Sequence, residues 1–238
     1  METKRLSLLG LLTVTTLLLS PVRLPLAEAQ ASSIPDSPVF GLPFAEPPGP
    51  NTWYLSQFYG NTQSAYRWRT RYYKAGQGLH FGLDFAAQCG TEVIAIGDGE
   101  VLHIDDPRRG SGPHNLIIRH DNGLYSLYGH LLESPRLYVG QHVTQGEAVA
   151  LSGDPDLTCT SRPHLHLEIR DFSVGEAYNP ILLINADWDT LALFGTRSGF
   201  EADLKHPRRW MTPYDQPTVN FWDAMINNYE QPWPPDWN

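Results

Sequence analysis

The sequence predicts an all-β domain of the antiparallel sandwich or barrel type, and three observations support this fold class. Between residues 79 and 170 the chain consists of short segments in which apolar and polar side chains alternate. Glycine-containing turns separate these segments, as at Gly97, Gly99 and Gly146. Apolar residues show almost no helical periodicity. Many short strands joined by tight turns are typical of β-sandwiches and barrels.

Residues 1–31 are predicted to be a cleaved secretory signal peptide. Lys4 and Arg5 precede an uncharged apolar run over residues 6–19, and small-x-small patterns at residues 27–31 suit a signal peptidase. The run is shorter than the roughly 20 residues that a membrane span needs. We therefore expect a secreted or periplasmic protein of the cell envelope, without stable membrane insertion. An uncleaved N-terminal anchor is the alternative.

The next two segments are predicted to be an extended arm and an aromatic segment at the start of the domain. Residues 32–50 are rich in proline and lack apolar periodicity, which is typical of a linker or an extended arm. Residues 51–74 interleave aromatic residues with arginines, and residues 66–69 alternate as a strand would. Aromatic and arginine side chains could stack on nucleobases, but a net charge of -9 argues against a nucleic-acid partner.

The central part of the chain predicts strands in close succession. They are expected at residues 79–86, 91–96, 100–104, 115–120, 124–131, 148–151 and 164–170. Asp121-Asn122-Gly123 is a hairpin signal between two of them. The pattern changes after residue 179, where tryptophans and proline-rich breaks form a C-terminal extension over residues 181–238. We expect this extension to pack across the domain, with a short helix at residues 218–228; a separate sugar-stacking surface is the alternative.

Candidate metal ligands lie on two of the predicted strands. In the strand that starts at His164, alternation places His164, His166 and Glu168 on one face and apolar residues on the other. The segment around His80 and Asp84 has the same arrangement, with Gly82 between them. A glycine there removes a side chain where another group must approach closely.

Pooling these residues with His130 gives the donors of a catalytic zinc site. Such a site needs three protein ligands of nitrogen or oxygen type and an open position for water. Two histidines and one carboxylate from two strands supply them, which leaves the other histidines free for proton transfer. The spacing does not distinguish His164 from His166, because both lie on one strand face. Glu168 is either an ion-pair partner or a group that orients a histidine.

The two cysteines, Cys89 and Cys159, lie close in sequence to candidate site residues. An even number of cysteines in an exported chain permits a disulfide. We expect this bond, and two separate thiols are the alternative.

Three separated motifs together resemble the lysostaphin-like, LytM-type zinc metallopeptidases. They are His80-Phe81-Gly82-Leu83-Asp84, Leu127-Tyr128-Gly129-His130-Leu131 and His164-Leu165-His166-Leu167-Glu168-Ile169. The resemblance covers roughly residues 76–170 and implies an antiparallel β domain with a narrow groove. We place the whole domain at residues 51–180. The resemblance also implies that His80, Asp84 and His166 bind Zn²⁺ and that His130 and His164 are catalytic.

The function implied by the resemblance is an endopeptidase that hydrolyses peptide bonds in bacterial cell-wall peptidoglycan. Its partner would be a peptidoglycan peptide, and we expect a monomer. A second possibility is an inactive module of the same fold that binds the wall or activates another hydrolase. A lipoyl-like carrier is a third, but it needs a lysine at a hairpin tip, and residues 79–169 contain none.

Overall fold

A computed structural model describes residues 34–193, 201–202 and 210–226. The predicted signal peptide, His206 and the last two tryptophans therefore lie outside the described residues. In the described part, no helix has the length and apolar character needed to cross a membrane.

The described chain is mainly antiparallel β-structure, which confirms the predicted fold class. The main sheet runs in the order β1-β2-β9-β6-β5-β4-β7, with β10 joined to β9 and β13 joined to β10. β3 pairs with β8, and β11 pairs with β12. The strands are β1 (Trp53–Gln57), β2 (Leu83–Ala87), β3 (Glu92–Ile94), β4 (Gly99–Ile104), β5 (His114–Arg119), β6 (Tyr125–Leu131), β7 (His142–Val143), β8 (Ala148–Leu151), β9 (His164–Arg170), β10 (Glu176–Tyr178), β11 (Glu201–Ala202), β12 (Trp210–Met211) and β13 (Val219–Asn220).

The hairpin between β5 and β6 forms at the predicted turn. The backbone of Gly123 has a φ of 81°, a conformation that glycine adopts without steric cost. The side chain of Asn122 accepts a hydrogen bond from the Leu124 amide at 3.0 Å. This turn joins β5 and β6 as an antiparallel pair.

The apolar faces of the site-bearing strands form the core. Leu83 and Phe85 of β2 and Leu165, Leu167 and Ile169 of β9 are each fully buried. Burying a side chain of this size stabilises the fold by about 1.5–3 kcal/mol. These residues anchor the strands whose opposite face carries the polar groups.

Two phenylalanines attach the proline-rich arm to the domain. Phe40 is buried and forms a parallel bridge with Ile184. Phe44 is also buried, with its ring centroid 5.2 Å from that of Trp53 and 6.0 Å from that of Phe85. The arm therefore contributes side chains to the core.

Two local predictions outside the site-bearing strands were wrong. Residues 66–69 were expected to be extended, but α1 (Gln63–Trp68) is helical. The Thr62 hydroxyl caps this helix by accepting a hydrogen bond from the Ala65 amide at 3.0 Å. Ala65 and Tyr66 are both buried, so the helix packs against the domain through this part of its surface.

The second error concerns the expected helix at residues 218–228. Val219–Asn220 instead forms β13, because Ala177 of β10 offers a pairing edge to Val219. The described helices after β10 are Pro180–Leu182 and Pro213–Asp215, both 3₁₀, and α2 (Trp188–Ala192). Residues 227 and 228 lie outside the described range.

Cys89 and Cys159 form a disulfide across a sequence separation of 70 residues. The predicted pairing is therefore confirmed. It ties the segment after β2 to the loop that leads into β9.

Candidate metal centre

Two neighbouring strands bring most of the candidate residues together. β2 and β9 pair in a register that sets Asp84 opposite His166 and Ala86 opposite His164. Asp84 Oδ1 lies 2.7 Å from His166 Nδ1 and 3.7 Å from His164 Nε2. His164 and His166 therefore lie on the same face of β9, next to Asp84, as the alternation predicted.

His80 reaches the same place from a loop. One strand was expected over residues 79–86, but β2 begins at Leu83, and His80 forms an isolated bridge with Gly60. Nδ1 of His80 donates to the Phe58 carbonyl at 2.6 Å, and Nε2 lies 3.2 Å from Asp84 Oδ1. The carbonyl fixes the ring so that a lone pair on Nε2 faces Asp84.

His80, Asp84 and His166 form a compact set of possible ligands. Nε2 of His80 is 3.2 Å from Nδ1 of His166, which is 2.7 Å from Oδ1 of Asp84. Tetrahedral zinc with bonds of about 2.0–2.1 Å places its ligand atoms roughly 3.3 Å apart. The distances from His80 Nε2 to the other two ligand atoms match this spacing, and the distance between the His166 and Asp84 atoms is shorter. Two imidazole nitrogens and one carboxylate oxygen therefore suit a divalent metal ion.

The charges around His166 favour a cation at this point. Burial lowers the pKa of His166, but the carboxylates of Asp84 and Glu168 outweigh burial and raise it to about 9. Burial also opposes ionisation of Asp84, but His80, His164 and His166 hold its pKa well below the usual range. Positive charge is therefore stabilised here, whether a proton or a metal ion supplies it.

His130 and His164 lie beside the three possible ligands. Their ring centroids are 4.8 Å apart, and that of His130 is 5.7 Å from that of His166. His130 has a φ of 58°, a left-handed conformation that is uncommon for residues with a side chain. Burial and the nearby His164 and His166 lower the pKa of His130 to about 3. Its ring is therefore neutral at neutral pH.

An acceptor faces the outer nitrogen of each of these four histidines. For His166 it is Glu168, whose Oε1 lies 3.2 Å from Nε2 without the alignment of a hydrogen bond. For the others it is a main-chain carbonyl that accepts from Nδ1. The pairs are His80 with Phe58, His130 with Gly112 and His164 with Arg162. Each carbonyl selects the tautomer whose remaining lone pair lies on Nε2.

Gly82, directly before β2, allows the His166 ring to lie against the backbone there. A Cβ on Gly82 would lie 2.6 Å from the Leu167 carbonyl oxygen and 2.7 Å from Cε1 of His166. Both distances are too short for nonbonded atoms. The close approach expected at this glycine is therefore that of the His166 ring and the β9 backbone.

Glu168 has both of the roles considered for it. Its side chain is fully buried, with Oε1 facing His166 and Oε2 accepting from Arg170 Nε at 2.6 Å. Ser111 Oγ donates to Oε1 at 3.2 Å. Burial opposes ionisation, but Arg170 and His166 lower the pKa of Glu168 to about 2. The carboxylate is an ion-pair partner and an oriented neighbour of His166.

Asp84 and His164 border an open cleft of about 630 Å³. The cleft runs between β1, the N-terminus of α1 and the loop before β9. Its lining includes Tyr54, Ser56, Gln57, Gln63, Arg162 and Pro163. A substrate in this cleft would reach the candidate metal centre at one end.

The remaining described histidines belong to other surroundings. His120 is buried, with Nδ1 donating to the Asp98 carbonyl at 2.7 Å and Nε2 2.9 Å from Ser126 Oγ. His114 pairs with Asp105 at 3.0 Å. His103 and His142 lie on β4 and β7. These positions suit structural or surface residues.

Sequence reasoning missed several supporting groups. The carbonyls of Phe58, Gly112 and Arg162 have no residue-type signal, because every residue carries one. Arg170 could have been found, since it lies two residues after Glu168 on the same strand face. Ser111 lies 57 residues from Glu168 in sequence, and no local pattern predicts this contact.

The part of the chain that carries these residues is similar to known proteins. The family model described as peptidase family M23 matches residues 78–180. An uncharacterized metalloprotease of Haemophilus influenzae is 37% identical over 121 residues, which cover 50% of this chain and 22% of that protein. The murein hydrolase activator NlpD of Salmonella dublin is 32% identical over 123 residues, which cover 50% of this chain and 31% of the relative.

Two further proteins are similar to part of the chain. The DD-carboxypeptidase/endopeptidase Mpg of Neisseria meningitidis serogroup B is 36% identical over 103 residues, or 43% of this chain and 22% of the relative. The catalytic domain of lysostaphin from Staphylococcus simulans is 24% identical, with a TM-score of 0.43, covering 54% of this chain and 90% of that one. The chain spans less than a third of each of the three curated relatives. Residues 78–180 match the model of peptidase family M23, in agreement with the resemblance of the LytM-type motifs.

Proposed function

We propose that this protein is an exported, zinc-dependent endopeptidase that hydrolyses peptide bonds in bacterial peptidoglycan. The observation that carries the proposal is the convergence of His80, Asp84 and His166 at one end of an open cleft, beside His130 and His164. Its similarity to a protein named as a DD-carboxypeptidase/endopeptidase supports the choice of substrate.

His80, Asp84 and His166 are the proposed metal ligands, and zinc is the proposed metal. Catalytic zinc sites commonly combine histidines with one carboxylate and leave a position for water. Bound Zn²⁺ would lower the pKa of that water towards neutral and polarise the scissile carbonyl. Asp84 contributes the single negative charge among the three ligands and keeps it because its pKa is strongly lowered.

His130 and His164 are the proposed catalytic residues. Their Nδ1 atoms donate to main-chain carbonyls, so each ring presents Nε2 as a proton acceptor. A neutral imidazole can accept a proton from water and return it to the leaving amine. Once protonated, it can stabilise the oxyanion that develops on the substrate carbonyl. The fixed orientation of both rings reduces the reorganisation that these steps require.

The cleft is proposed to bind the peptide part of peptidoglycan. Main-chain and amide groups can satisfy its polar lining, which includes Ser56, Gln57 and Gln63. No nucleic-acid partner is proposed, because the chain is acidic. The protein would act as a monomer in the cell envelope, where this substrate is found.

The first test measures metal content. The purified wild-type protein should hold about one zinc ion per chain. His80→Ala, Asp84→Ala and His166→Ala should lose the metal, whereas His130→Ala and His164→Ala should keep it and lose turnover. A wild-type protein without zinc under non-chelating conditions would contradict the proposal.

The second test measures the reaction directly. The zinc-loaded protein is incubated with purified peptidoglycan, and the released muropeptides are identified by mass spectrometry. New amine and carboxylate ends at one peptide bond are expected, together with inhibition by a chelator. The masses also identify which cross-link or stem bond is cut.

Activation of another hydrolase is a second candidate function. It is supported by the 32% identity to a protein named as a murein hydrolase activator. The filled set of His80, Asp84, His130, His164 and His166 favours the enzyme instead. Zinc binding without muropeptide release, combined with faster wall digestion by an added hydrolase, would favour the activator.

A further inference from the structure

The buried pair of Glu168 and Arg170 connects the proposed metal centre with two other segments. His166, Glu168 and Arg170 follow each other at intervals of two along β9 and therefore share one face. Glu168 lies between the His166 ring at 3.2 Å and Arg170 Nε at 2.6 Å. Since both charged residues are almost inaccessible to water, their positions depend on protein contacts alone.

Arg170 in turn is held on several sides. One terminal nitrogen donates to the Arg109 carbonyl at 3.2 Å, and the other lies 3.4 Å from the Val174 carbonyl. The ring of Phe221 lies against the guanidinium, with Cζ 4.2 Å from its centroid. This stacking is a cation–π contact, which is stronger where water is excluded.

Phe221 lies in the C-terminal extension, beyond the residues that match the peptidase family. Its amide donates to the Gly175 carbonyl at 2.9 Å, and the next amide, that of Trp222, donates to the Ala75 carbonyl at 2.8 Å. Its ring also packs on Phe81, with centroids 5.1 Å apart. Phe81 in turn lies edge-on to His166, at 5.5 Å between centroids. Phe221 therefore contacts the proposed ligand His166 indirectly by two routes: through Arg170 and Glu168, and through Phe81.

We propose that Phe221 is a positioning residue that holds His166 in its metal-binding orientation through Arg170 and Glu168. This inference rests on the proposed metal centre described above. Without the aromatic ring, water can reach the guanidinium, and Arg170 gains freedom to rotate away from Glu168. Glu168 then loses its fixed partner, and the His166 ring loses the carboxylate that faces Nε2. Removal of outer groups of this kind typically weakens metal binding 10–100-fold.

The test compares three variants of the full chain by zinc affinity in competition with a chelator. Phe221→Ala should bind zinc about 10–100-fold more weakly than the wild type. Phe221→Tyr retains the aromatic face and should bind zinc within about twofold of the wild type. Trp222→Ala is the matched control, because Trp222 is adjacent but 81% exposed. It should also leave zinc affinity unchanged.

Two further measurements separate positioning from a structural role. The absorption spectrum of the Co²⁺-substituted protein reports ligand geometry and should change in Phe221→Ala but not in Phe221→Tyr. Thermal unfolding of the metal-free proteins reports stability alone. If Phe221→Ala unfolds more easily but its folded form binds zinc like the wild type, the inference is overturned.

Failure of the proposed function gives a different result. If zinc affinity follows the expected order while the wild type releases no muropeptides, the positioning role stands and the endopeptidase proposal fails. If the wild type cuts peptidoglycan and Phe221→Ala retains full zinc affinity, the endopeptidase stands and the positioning role fails. A wild type that binds no metal overturns both.

Discussion

Replacing Gly82 with alanine tests whether the approach of His166 to β2 is required for metal binding. The added Cβ would lie 2.7 Å from Cε1 and 2.8 Å from Nε2 of His166, and 2.6 Å from the Leu167 carbonyl oxygen. Ordinary contacts of this kind begin near 3.4 Å, so the ring or the β9 backbone must move by roughly 0.6–0.8 Å. Because the ring lies between Asp84 and Glu168, such a movement changes the positions of the ligand atoms.

A displacement of this size should weaken zinc binding about 10–100-fold, which corresponds to roughly 1.4–2.7 kcal/mol. Chelator competition on the folded protein measures this loss, and muropeptide release should fall in parallel. Gly49→Ala is the control, since a Cβ there meets only the Thr52 hydroxyl, at 3.4 Å. If Gly82→Ala retains wild-type zinc affinity and activity, the steric reason given for Gly82 is refuted.

Three further predictions concern stability away from the metal centre. Replacing both Cys89 and Cys159 with serine should lower the free energy of unfolding by about 4 kcal/mol, measured in urea; a loss under about 1 kcal/mol would contradict the loop-closure argument. Burial lowers the pKa of His120, so the unfolded chain binds the extra proton as pH falls below about 6.5. The free energy of unfolding should therefore decrease on acidification, by at most about 1.4 kcal/mol per pH unit from this residue. Urea titrations at several pH values should show a weaker dependence of this free energy on pH in His120→Asn. Phe44→Ala should cost about 3–5 kcal/mol in the same assay, whereas Phe172→Ala, at a residue that is 50% exposed, should cost far less.

Local alternation predicted the parts of the site that depend on a single strand. The shared face of His164 and His166 follows from a period of two, and so does the fully buried opposite face with Leu165 and Leu167. The hairpin turn at Gly123 was equally local. In each case the deciding interactions lie within a few residues of sequence, where side-chain type carries the information.

Long-range register could not be predicted in the same way. The pairing of Asp84 with His166 joins residues that are 82 positions apart, and nothing in either segment specifies the other. The helix at Gln63–Trp68 was missed because aromatic and arginine residues also alternate there. The Thr62 side chain caps this helix, and the burial of Ala65 and Tyr66 depends on the folded surroundings, which local alternation does not reveal.

The sequence alone left open which of His164 and His166 is the metal ligand. The two residues have different surroundings, which bear on this question. His166 is buried, lies 2.7 Å from Asp84 and has a carboxylate beside its second nitrogen. Such an arrangement suits a metal ligand, because the outer carboxylate fixes the ring and increases its basicity. His164 borders the open cleft and lies 3.7 Å from Asp84, and only a main-chain carbonyl holds its outer nitrogen. Since proton transfer requires access to substrate, this position favours the proposed catalytic role for His164 and the ligand role for His166.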